Sequence, residues 1–73
     1  TGVKASFVIY ETNGVINISA RSMGACNVQI VMESLGGGGH LTMAATQLNC
    51  SMNEARKRLA DAIDEYWENN SQE

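Results

Sequence analysis

The sequence predicts an α+β domain in which a small β-sheet packs on two helices, and three observations carry that expectation. Two β-branched and aromatic runs, residues 5–10 and 15–20, flank an Asn13-Gly14 pair. Residues 27–35 repeat apolar side chains at helical spacing, and a capping box at Ser51 opens a longer amphipathic stretch. At 73 residues the chain has room for one domain with a single thin core, taken here as residues 1–73. A hydrophobic fraction of 44% against 18% charged residues places it among globular chains.

The first two runs read as a hairpin. Both central residues of a type I′ turn need positive φ, which asparagine and glycine tolerate, so Asn13-Gly14 closes a two-residue loop. That turn sets the register, with Thr12 opposite Val15, Ile9 opposite Ile18, Phe7 opposite Ala20 and Ser6 opposite Arg21. The pleat then gathers Phe7, Ile9, Ile16, Ile18 and Ala20 on the core face. Asn17, Ser19 and Arg21 share the other face with Ser6, Val8 and Tyr10.

Val28, Val31, Met32 and Leu35 give the next segment a helical stripe, with Asn27 placed to cap it. Gly36 suits the position just past the helix, where a left-handed backbone is common; Gly37, Gly38 and Gly39 are not explained by termination. A phosphate-binding P-loop is excluded, because its glycines precede a helix and end in Gly-Lys-Ser or Gly-Lys-Thr, whereas these follow a helix and end in Gly39-His40. Residues 41–50 read as a strand. Ser51-Met-Asn-Glu54 starts the last helix, buried along Ala55, Leu59, Ala62, Ile63 and Tyr66, with Glu54 and Arg58 as an i, i+4 pair and residues 69–73 frayed.

Charge narrows the function. The net charge of -3 and a pI near 4.9 oppose generic binding along a phosphate backbone, and the Arg56-Lys57-Arg58 cluster shares its helix with as many acids. Between Thr12 and Asn53 the ionisable side chains apart from cysteine are Arg21, Glu33 and His40, a set suited to one small anionic ligand. Cys26 and Cys50 lack the spacing of a zinc or redox motif and read as free thiols of a reducing cytoplasm. No apolar run approaches the length of a membrane span, and entry into an apolar run straight from Thr1 is expected of a piece of a longer protein. The lone His40, with Glu11 and Glu33 the only acids outside the last helix, builds neither a metal cluster nor a serine triad.

Three segments in order, Ile18-Ser-Ala-Arg-Ser22, Asn27-Val-Gln-Ile30 and Leu35-Gly-Gly-Gly-Gly-His-Leu-Thr-Met-Ala-Ala-Thr-Gln47, resemble the DHH-associated domain, the C-terminal half of DHH-family phosphoesterases. The resemblance covers nearly the whole chain. Within that superfamily, which includes RecJ-like exonucleases and oligoribonucleases, Asn27-Val-Gln29 and Ala44-Ala-Thr-Gln47 look most like GdpP-type cyclic-di-AMP phosphodiesterases; the other members more often carry a glycine where this chain has Thr46.

The resemblance implies a substrate-binding subdomain whose upstream DHH domain, in the same polypeptide, holds two manganese ions. It implies hydrolysis of cyclic-di-AMP to linear 5′-pApA by the parent, an inactive fragment with neither catalytic nor metal-binding residues of its own, and no extended nucleic acid as partner. Arg21, Ser22, Asn27, Gly37, Gly38, Gly39 and His40 are the substrate-binding residues expected on this ground, with helix capping the stronger reading of Asn27, since an asparagine before a helix needs no further reason. The domain is expected to be cytoplasmic, with the parent anchored to the bacterial membrane and open to homodimerisation. One departure stands out: the stretch before Asn27 reads Met23-Gly-Ala-Cys26, where GdpP-like sequences often carry an acid. Two other functions fit the residues alone, a nucleotide-sensing module without chemistry and a subdomain of an exonuclease or oligoribonuclease.

Overall fold

A computed structural model describes residues 4–70. The elements run β1 (Ala5–Thr12), β2 (Val15–Ser22), α1 (Val28–Ser34), β3 (Gly38–Gly39), β4 (Met43–Leu48) and α2 (Met52–Asn70). The four strands form one antiparallel sheet in the order β1-β2-β4-β3, and the helices pack on one face of it. This is the expected α+β layering, with one strand more than the sequence announces.

The hairpin takes the register that its turn dictates. Asn13 and Gly14 have φ of 53° and 80°, and Thr12 faces Val15, Ile9 faces Ile18, Phe7 faces Ala20 and Ser6 faces Arg21. Ile16, Ile18 and Ala20 accordingly point into the core, where they meet Val28, Val31 and Met32 of α1. Ala55, Leu59, Ala62 and Tyr66 close that core from α2. Burial of these side chains, each worth roughly 1.5–3 kcal/mol for the larger aliphatic ones, is what holds so small a domain together.

Asn27 caps α1 as its position suggested. Its Oδ1 accepts from the N–H groups of Gln29 at 3.0 Å and Ile30 at 3.4 Å, and its own N–H donates to the Tyr66 hydroxyl at 2.9 Å, joining the start of α1 to α2. Replacing Asn27 with alanine is expected to cost about 1 kcal/mol, a fall of roughly 4–8 °C in the melting temperature of the 73-residue chain. At the other end Gly36 adopts φ of 89°, and the Leu35 carbonyl accepts the buried Thr46 hydroxyl at 3.0 Å.

Two expectations change. The glycine run is not simply a loop, because Gly38 and Gly39 pair with Ala45 and Ala44 as an edge strand. A side chain at Gly37 would collide with the Ala45 carbonyl oxygen and Thr46 Cβ, and one at Gly39 would lie 2.6 Å from Ala44 Cα; only bare backbone comes this close to β4. On α2 the ion pair among the described residues is Lys57 with Asp61 at 3.1 Å instead of Glu54 with Arg58. All four side chains lie on exposed turns of one helix, where such pairings exchange at little cost. Among the described residues no helix is long and apolar enough to cross a membrane. Of residues 69–73, expected to fray, Asn69 and Asn70 instead continue α2, where Asn70 Nδ2 donates to the Tyr66 carbonyl at 2.8 Å, and residues 71–73 lie outside the described range.

Candidate functional site

The face of the sheet turned away from the helices is uncovered among the described residues, and strand register orders it into rows. Ser6, Arg21 and Met43 form the first, continued at the sheet edge by His40, whose N–H donates to the Met43 carbonyl at 2.7 Å. Val8, Ser19, Ala45 and Gly38 form the second, and Tyr10, Asn17 and Gln47 the third. Small residues in the middle row leave a groove of about 520 Å³ between taller neighbours, lined by Arg21, Ser19, Ala45, Gly38 and Gly39.

Arg21 is the cation of this groove. It is exposed, and among the described residues no carboxylate stands within ion-pair distance of it, so its forked guanidinium remains available to an anion. Val8 and Met43, 57% and 54% exposed, add apolar surface on either side of the floor. A flat apolar floor beside a forked cation suits a ligand that is part anion and part ring.

The remaining expected residues distribute unevenly. Ser22 is adjacent to Arg21 in sequence but points to the opposite face; it is buried, and its Oγ accepts the Gly24 N–H at 2.9 Å, holding the turn after β2. Asn27 lies in the helical layer with its carboxamide oxygen committed to the cap. The Gly37 N–H is used by the Met32 carbonyl at 2.8 Å. Bonded and non-bonded pairs alternate along an antiparallel ladder, so with His40 bonded to Met43 the N–H of Gly39 faces outward from the edge. Arg21, Gly38, Gly39 and His40 are therefore brought to one corner of the open face, and Ser22, Asn27 and Gly37 serve the scaffold around it.

One polar feature of this face lay beyond the sequence reading. Asn17 and Gln47, opposite each other on β2 and β4, hydrogen-bond through their side chains at 3.0 Å. Continuing the hairpin register one strand further would have paired them, but no local signal placed β4 beside β2.

Among the described residues no three His, Cys, Asp or Glu side chains converge on one point. Cys26 is buried and burial pushes its thiol up, which opposes a thiolate; Cys50 is half-buried, and both are free.

The chain is 59% identical over 68 residues to the cyclic-di-AMP phosphodiesterase PdeA of Listeria monocytogenes, 54% over 70 residues to GdpP of Geobacillus thermodenitrificans and 57% over 68 residues to GdpP of Bacillus subtilis, both also named cyclic-di-AMP phosphodiesterases. These matches cover 90%, 93% and 90% of this chain, which spans only about a tenth of the length of those relatives (10%, 11% and 10%). The family model described as the DHHA1 domain matches residues 1–69, and with the α+β sheet and its open, arginine-bearing face in hand, the chain belongs to the DHHA1 domain family.

Proposed function

We propose that this chain is the substrate-binding subdomain of a phosphodiesterase that opens cyclic-di-AMP to linear 5′-pApA. The observation that carries the reading is the groove on the open sheet face, where Arg21, with no carboxylate partner among the described residues, stands over a floor of small residues. Arg21 holds a phosphate through two parallel N–H donors, the outward Gly39 N–H and His40 follow at the sheet edge beside it, and Val8 and Met43 receive the apolar part of the nucleotide. An upstream DHH domain, which the family resemblance implies, would supply two manganese ions and the water they activate. The subdomain's work is to bind and orient the dinucleotide and to keep its phosphate turned toward those ions. A single arginine in an otherwise sparsely charged region suits a dinucleotide better than a long strand, which needs a continuous basic track. The parent is anchored to the membrane through other segments.

Two assays test this together. The full-length protein with manganese is expected to convert cyclic-di-AMP to 5′-pApA, read by anion-exchange chromatography, while the 73-residue chain with manganese turns over none. Failure of the full-length protein to open the cyclic substrate, or turnover by the chain alone, overturns the assignment.

A further inference from the structure

The amide pair beside the groove has a fixed orientation. The Val15 carbonyl can only accept, so Asn17 must turn its Nδ2 toward it, where the bond measures 3.2 Å. That leaves Asn17 Oδ1 facing Gln47, which answers with Nε2 at 3.0 Å. Among the described residues Gln47 is thereby left with its Oε1 and one Nε2–H uncommitted, on an exposed side chain, at a depression that shares Ala45 with the Arg21 groove. One acceptor and one donor on a terminal amide match the N6 amino group and N7 of adenine; guanine presents acceptors at both O6 and N7 and would set O6 against Oε1. Gln47 lies four positions along β4 from Met43, the residue opposite Arg21, which is roughly 13 Å of strand. Both side chains stand on the open face, and a nucleotide lying along the strands would reach from one to the other.

We infer that Gln47, oriented by Asn17, reads the N6–N7 edge of an adenine whose phosphate is held at Arg21, and so sets the base preference of the site. This rests on the dinucleotide reading given above.

The test uses the full-length protein with manganese and three substrates: cyclic-di-AMP, its analogue with both bases replaced by 7-deazaadenine, and cyclic-di-GMP. The unsubstituted protein is expected to lose about tenfold in kcat/KM on the 7-deaza analogue. Gln47→Leu is expected to lose about tenfold on cyclic-di-AMP with no further loss on the analogue, and to narrow the preference over cyclic-di-GMP. Equal treatment of cyclic-di-AMP and the analogue by the unsubstituted protein overturns the inference without reference to any variant. So does a Gln47→Leu protein that still discriminates between them. If the unsubstituted protein opens none of the three substrates, the dinucleotide reading itself falls and takes the inference with it. An unchanged melting temperature for Gln47→Leu, expected because the side chain is exposed, separates loss of base reading from loss of fold.

Discussion

Replacing Arg21 with alanine is expected to lower kcat/KM for cyclic-di-AMP by about 100-fold or more in the full-length protein. Hydrogen bonds to charged groups contribute about 1.5–3 kcal/mol each, and a guanidinium meets a phosphate with two. The same substitution should leave the melting temperature of the 73-residue chain within about 2 °C, because Arg21 is exposed and makes no ion pair among the described residues. Arg21→Lys separates charge from geometry. It keeps the positive charge but loses the fork, and should recover only part of the activity. A large fall in melting temperature with Arg21→Ala would instead make the residue a structural one, its stem packing on the sheet face.

The sequence carried the parts of this structure that local rules decide. Asn13-Gly14 fixes a turn, the turn fixes a register, and the register sends Ile16, Ile18 and Ala20 inward and Arg21 outward without any long-range information. Asn27 and Gly36 bracket α1 for equally local reasons. What stayed hidden depends on partners far along the chain. Two glycines carry no strand propensity, and Gly38-Gly39 became β3 only because β4 lies alongside. The Asn17–Gln47 pair, thirty residues apart, needed the same knowledge. Ser22 teaches a different lesson. Alternation along β2 puts it on the face opposite Arg21, and only the family resemblance, which sees adjacency in sequence and not the pleat, groups the two.

A pair of neighbouring methyl groups separates folding from binding within the glycine run. Gly37→Ala should destabilise the domain by about 3 kcal/mol or more, since the new Cβ collides with main chain and Cβ atoms of β4 that have no flexible end to yield. A chain of this size has a total stability of roughly 4–10 kcal/mol, so the melting temperature should drop by more than about 12 °C. Gly38→Ala meets nothing within 4 Å and has no positive φ to strain it, so the fold gives no reason for glycine there. Folding should be unchanged or favoured by about 0.4–1 kcal/mol, because alanine narrows the unfolded ensemble. Yet Gly38 shares the open-face row of Ala45 and Ser19, and its methyl would rise into the groove beside Arg21. Turnover of cyclic-di-AMP by full-length Gly38→Ala should therefore fall about tenfold while the domain melts no lower than before. Full activity in that variant would show that no ligand approaches β3 closely, and would leave Gly36, Gly37 and Gly39 as glycines of the fold alone.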